Sequence, residues 1–281
     1  MKKKALIGLV LMLSAVVTGQ RPYPTMEDVQ KFKKSTTCVV LEDNDFSFFN
    51  PEIKAAIEKN WTVTPYKFIT TAEFDELWGN PDYSFLVLTV SNFSNDKSGS
   101  SYNYLNLLLG ARVINIDKLP EFCTVPLSTV GGDEEDYTYK IDLVVRFIQH
   151  HAKTLVETPS NQALKYLKFY NKNIPEIKKK TILITAGDID PEINTEEKIK
   201  KYYQYPVKIV EDDEIVKAVE EKRPDVLICH KVGPVEGKHT GTCIKMLIGT
   251  DDAIMYYYDT HMVDDKNANG MLASDFKRIG R

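Results

Sequence analysis

Short apolar runs alternate with amphipathic stretches along most of this chain, and the alternation happens twice. Cys38-Val39-Val40-Leu41 and Thr181-Ile182-Leu183-Ile184 both read as short buried strands. Asn50-Pro51-Glu52-Ile53 follows the first and Asp190-Pro191-Glu192-Ile193 follows the second. Helical spacing comes next in each half, through Ile53, Ala56, Ile57 and Trp61 and, more weakly, through Ile193, Ile199, Tyr202 and Tyr203. A second strand pattern, Pro65 to Ile69, is answered by Pro206 to Val210. A second helical stretch, Thr71 to Trp78, is answered by Asp212 to Lys222. Pro81-Asp82 leads into Phe85 to Leu88, as Pro224-Asp225 leads into Val226 to Ile228. The run closing at Gly110 matches the run closing at Gly249.

Blocks in one order, with drift confined to loops, are the mark of an internal duplication. The pattern predicts an α/β fold: two tandem, similar βαβαβββ-type units with mixed sheets, joined by a helical segment. Strands that alternate with helices should be parallel, with right-handed crossovers. The closing pair in each unit should be an antiparallel hairpin. Gly249-Thr250-Asp251-Asp252 supplies turn chemistry for the second hairpin, before the strand-like Ile254 to Tyr258. The first unit spans 36–130 and the second 179–281. Between them, 133–175 carries helical spacing from Ile141 to Val156 and, after Pro159, from Ala163 to Ile174, which predicts a helical hairpin on or between the sheets. Gly131 to Asp136 reads as an acidic hinge.

The two echoing tetrapeptides read as helix starts. Asn50 or Asp190 would accept first-turn N–H groups, and proline suits the first helical position, where its missing N–H has no partner. Their own carboxylates argue against a phosphate cradle at that point. No Gly-x-Gly-x-x-Gly or Gly-x-x-x-x-Gly-Lys-Ser/Thr occurs, so neither a Rossmann nor a P-loop nucleotide site is expected.

Residues 1–19 stand apart. Lys2 to Lys4 precede an apolar run from Ala5 to Val17, and Val17-Thr18-Gly19 places small residues at a cleavage point, the arrangement of a secretory signal peptide. The mature chain would begin at Gln20, be periplasmic or secreted, and have no membrane span. Losing three lysines from a balance of 36 Lys+Arg and 40 Asp+Glu leaves a net charge of −7. That does not attract nucleic acid over the whole surface. Four cysteines, Cys38, Cys123, Cys229 and Cys243, are too few for a disulfide scaffold. Cys229 with Cys243 is the pair expected to bridge, if any does.

Candidate chemistry is sparse. Asp43 and Asp45 follow the first strand, and Asp188 and Asp190 follow its counterpart, at the sheet edge where open α/β folds bind ligands. Asp43-Asn44-Asp45-Phe46-Ser47 resembles the Asp-x-Asp-x-Thr start of haloacid-dehalogenase-type phosphatases. That resemblance implies Asp43 as nucleophile, Asp45 as acid and Thr70 as the second motif. The later lysine and paired acids of that family are missing here. His230, His239 and His261 are candidate zinc ligands, at a spacing that matches no tight pattern. His150 and His151 read as the polar flank of the middle helix. A Cys243–His230 nucleophile pair is a further candidate. No cofactor is expected. Alternating tyrosines, Tyr256 to Tyr258 among them, could form a surface for protein or glycan.

The inferred topology is similar to small envelope domains, namely the N-terminal domain of the Tol translocation protein and the core domain of curli-secretion lipoproteins. The resemblance implies a non-enzymatic binding or assembly module with a protein partner in the envelope. The alternative is a metal-assisted phosphohydrolase using Asp43 and Asp45.

Overall fold

The computed structural model describes residues 21–93, 96–235 and 238–281; the proposed signal peptide lies outside them. Helix α1 (Met26–Phe32) opens the fold, held by a capping box between Thr25 and Asp28. The first unit then runs β1 (Thr36–Val40), α2 (Phe49–Asn60), β2 (Tyr66–Ile69), α3 (Thr71–Leu77), β3 (Tyr83–Ser91), β4 (Tyr102–Leu109) and β5 (Glu121–Thr129). A connecting segment holds α4 (Glu135–Thr138), α5 (Ile141–Glu157), two 3-10 stretches (Gln162–Lys165 and Leu167–Asn173) and α6 (Ile174–Ile177). The second unit runs β6 (Thr181–Ile184), α7 (Glu196–Ile199), β7 (Val207–Ile209), α8 (Asp212–Glu220), β8 (Val226–Val232), β9 (Gly241–Gly249), β10 (Met255–Val263) and α9 (Ala273–Ile279).

The strands form two five-stranded sheets, ordered β2-β1-β3-β4-β5 and β7-β6-β8-β9-β10. In each, the first three strands are parallel and the last two antiparallel. The correspondence reaches single hydrogen bonds. Thr36 N bonds Asp82 O as Thr181 N bonds Asp225 O, and Thr37 N bonds Pro65 O as Ile182 N bonds Pro206 O. The Pro-Asp and Pro punctuation therefore marks true equivalents. One match slips by a residue: Gly110 N bonds Tyr83 O, and its counterpart Thr250 N bonds Val226 O, so Gly110 corresponds to Thr250 and not to Gly249.

The tetrapeptides correct the sequence reading. Asn50 does not cap α2, which starts at Phe49 after Phe48 with no cap from its own neighbourhood. The Glu134 carboxylate, from the expected hinge, accepts from Phe48 N at 2.7 Å and Phe49 N at 3.2 Å instead. Asn50 pins the preceding loop, accepting from Glu42 N and donating to Glu42 O. Asp190 does accept from Glu192 N at 2.9 Å, but it starts a 3-10 turn, and Thr195 caps the short α7. The second half of the expected helical hairpin, 163–174, is 3-10 up to Asn173.

Side-chain alternation shows how the two sheets stack. Val39, Leu86, Leu105 and Leu107 face a core shared with α2 and α5, while Cys38, Val40, Phe85 and Leu108 face a smaller one containing Phe74 of α3. In the second sheet Leu183, Ile228, Ile244 and Met246 enter the same large core beside Ile215 and Val219 of α8. Ile182, Leu227, Leu247 and Tyr257 face the other way, onto Ile199, Phe276 and Ile279. The inner face of the first sheet is thus its α2 face; that of the second is its α8 face, the counterpart of the α3 face. The copies stack front to back. Helix α5 lies in this shared core, buried at Leu143, Val144, Val145, Phe147 and Ile148, as burial nearly all round a helix requires.

Exposed sheet edges invite unwanted pairing and are usually covered. Glu121 N on β5 bonds Pro22 O of the N-terminal arm. On β10, the Asn171 side chain both donates to Tyr258 O and accepts from Tyr258 N, as a strand would.

Candidate functional site

A cavity of about 820 Å³ lies beside β5. Its walls are the outer parts of β3 to β5, the N-terminal arm with Arg21 and Tyr23, the strap of 163–169, and Tyr258 and Thr260 of β10. With His151 of α5, five separate stretches of sequence therefore make it. Its size is that of a pocket for a small organic ligand.

One wall is polar and organised by Asn106, a fully buried amide within the apolar run of β4. Its Nδ2 donates to Thr89 Oγ1 and Tyr104 O, both at 2.9 Å, and its Oδ1 accepts from Thr124 Oγ1 at 2.8 Å and Arg21 Nη1 at 3.3 Å. Burying an amide is tolerable only with such partners. Arg21 is itself buried, with Glu121 Oε2 3.5 Å from Nη1 and Asp117 Oδ1 3.9 Å from Nη2. Arg21 Nε and Nη2 and Asp117 Oδ1 have no hydrogen-bond partner among the described residues.

The rest of the lining is largely aromatic and apolar. His151 of α5 is buried and hydrogen-bonds Tyr170 Oη at 2.9 Å through Nδ1. Burial lowers its pKa to about 4; neighbouring His150 adds to the effect and a hydrogen bond to the Phe122 backbone opposes it. His151 is therefore a neutral core histidine and not the polar flank expected from sequence. Burial pushes the Cys123 thiol well above its ordinary value, and Glu121 pushes the same way, so it is no nucleophile near neutral pH. Tyr104 and Tyr258 are both raised, first by burial, Tyr258 to about 12. Their hydroxyls line the cavity and have no hydrogen-bond partner among the described residues.

The residues singled out from sequence do not converge. Asp43 and Asp45 are exposed in the loop after β1, where Asn44 Oδ1 accepts from Phe46 N and Ser47 Oγ donates to Glu42. Thr70 is occupied in a capping box with Glu73 at the start of α3. His230 is buried against Pro126 O at 3.1 Å, His261 lies near Ala268 O, and His239 is exposed. Among the described residues no three His, Cys, Asp or Glu side chains are grouped to hold a metal ion.

All four cysteines are free and buried. Cys229 sits opposite Leu247, four residues from Cys243 along β9. At roughly 3.3 Å per residue that is about 13 Å, too far for a bridge. The Cys243–His230 pair fails as well. His230 is opposite Met246, and Cys243, an odd number of residues away, points to the other face.

Asp188, at the end of β6, does acquire partners: Lys231 Nζ at 3.5 Å and Lys140 Nζ at 3.7 Å. Lys231 also donates to Gly187 O at 2.8 Å. With Lys140 arriving from the segment before α5, this buried group ties the connecting segment to the edge of the second sheet.

Comparison with known protein families, characterised proteins and solved structures finds no match to this chain. The cavity rests on geometry alone. The sequence held two signals for it: a lone amide inside Leu105-Asn106-Leu107-Leu108, and an arginine beside the expected cleavage point. Neither had a partner visible within its own neighbourhood.

Proposed function

We propose that this is an exported, periplasmic or secreted binding module without enzymatic activity, and that the cavity beside β5 is its binding site. The observation that carries the reading is the cavity itself, about 820 Å³, lined by an organised polar cluster and by aromatic rings. Export is supported by the basic, apolar and small-residue succession of 1–19. Among the described residues no helix is long and apolar enough to cross a membrane. The size of the cavity, that of a pocket for a small organic ligand, favours such a ligand over the protein partner suggested by topology. The phosphohydrolase alternative draws no support from the exposed Asp43 and Asp45.

The neutral fluorophore N-phenyl-1-naphthylamine tests this reading. It should bind the mature chain saturably at one site, and Thr260→Trp or Ala163→Trp, which fill the cavity, should each abolish binding without unfolding the protein. Binding that survives both substitutions would refute the assignment.

A further inference from the structure

We infer that the cavity takes a neutral polyhydroxylated ligand, a short oligosaccharide, held by hydrogen bonds and by contact with aromatic rings; this rests on the cavity being the binding site. Charge at the buried end of the cavity disfavours an anion. The buried guanidinium of Arg21 already faces two carboxylates, Glu121 at 3.5 Å and Asp117 at 3.9 Å. On the strap, the exposed Lys168 lies 3.8 Å from Asp259, and Lys165, which also lines the cavity, leaves the buried Arg21 end as the part closed to an anion. A ligand carboxylate or phosphate seeking Arg21 would meet like charges and lose its hydration for little return. A neutral ligand meets no such penalty.

The supply of hydrogen-bonding groups points the same way. Tyr104, Tyr258, Ser91 and Thr260 line the space with hydroxyls that have no hydrogen-bond partner among the described residues. Thr89 Oγ1 accepts from Asn106, which leaves its own proton to donate. Glu121, steadied by Arg21, is an acceptor suited to paired hydroxyls, since bonds to a charged acceptor are the stronger kind. Hydroxyls that both donate and accept, beside one carboxylate, match a ligand that is itself a ring of hydroxyls. The rest of the lining includes the rings of Phe93, Phe169, Tyr104 and Tyr258. Aromatic rings with a polar tip suit a ligand with C–H faces and polar edges. A purely apolar ligand, the fluorophore included, leaves the hydroxyls and Glu121 without partners and forgoes the affinity that a polyhydroxylated ligand would gain from them.

The test is competition against bound N-phenyl-1-naphthylamine on the mature chain. Cellobiose, lactose, mannobiose and chitobiose are compared with octanoate and inorganic phosphate. At least one disaccharide should displace the fluorophore. Glu121→Gln should weaken that sugar about tenfold or more, the loss expected for a charge-assisted hydrogen bond, while fluorophore affinity stays within about twofold. Tyr104→Phe, which keeps the ring and the fold, should weaken the sugar by a smaller factor. Displacement by octanoate or phosphate and by no sugar would overturn the inference, as would no displacement by any of them; either outcome leaves the binding site itself standing. Failure of the fluorophore to bind would remove both.

Discussion

The two units share strand order, pairing and punctuation, yet equivalent positions do opposite jobs. By register, Asn106 in β4 corresponds to Met246 in β9, and Leu105 to Lys245. Asn106 organises the polar wall of the cavity, whereas Met246 is packed in the shared core. Leu105 is packed in that same core, whereas Lys245 is buried on the other face against α9, with Asp275 Oδ2 at 2.5 Å and Tyr257 Oη donating to Asp275 Oδ1. Front-to-back stacking explains both exchanges. The face that is interior in one copy is exterior in the other, so the polar residue moves to the opposite parity of the same strand. Duplication supplied the frame, and the stacking chose which face could carry chemistry.

The largest effects should come from breaking the Lys245–Asp275 pair, whose side chains are 1% and 3% exposed. Asp275→Ala strands a buried ammonium and should cost about 3–5 kcal/mol in urea unfolding. Leu105→Ala, at the position equivalent to Lys245, should cost about 2–5 kcal/mol for a different reason, the lost methyl groups and the cavity left behind. Replacing Lys245 and Asp275 together with leucine should be far milder than Asp275→Ala. If the single and double variants fell equally, the pair would not be a buried charge problem.

Next in size is pH. His151 near the first sheet and His230 in the second are both lowered to about 4, chiefly by burial. The unfolded chain takes up protons near pH 6.5 that the folded chain refuses. Stability is therefore full above about 6.5 and falls as pH drops towards 4. At pH 5 each histidine should have cost about 2 kcal/mol. His151→Phe should remove part of the slope between pH 6.5 and 5 in pH-dependent unfolding, since His150 and His261 are also lowered, chiefly by burial; an unchanged slope would exclude His151 as one of its sources.

Smaller effects separate the two echoing helix starts. Glu134→Ala uncaps α2 and should cost about 1 kcal/mol, while Asp190→Ala, at the exposed end of a 3-10 turn, should cost a few tenths. Equal losses would mean that the two starts are alike after all. Smallest of all, Asp43→Asn and Asp45→Asn should stay within about 0.5 kcal/mol in thermal unfolding, as for exposed loop residues.

Much of the fold was legible because it is local. Buried strands, Pro-Asp punctuation and helical spacing each announce themselves within a few residues, and the duplication made every signal appear twice. What escaped was set by distance. Glu134 caps a helix 85 residues away, which no local pattern reveals. The helix expected after Asp190 shrank to a 3-10 turn and one short turn of α7, where the apolar spacing was weakest. The cavity needs Arg21, Asn106 and Tyr258 together, and only the finished stack brings them to one place. The acids that looked most like chemistry, Asp43 and Asp45, drew attention through a local motif and proved to be exposed loop residues.

The most direct measurement of the central claim is the equilibrium titration of residues 20–281 and their Thr260→Trp variant with N-phenyl-1-naphthylamine. The account predicts one saturable site in the parent and none in a variant that still unfolds cooperatively. Saturable binding of equal affinity in both proteins would contradict it.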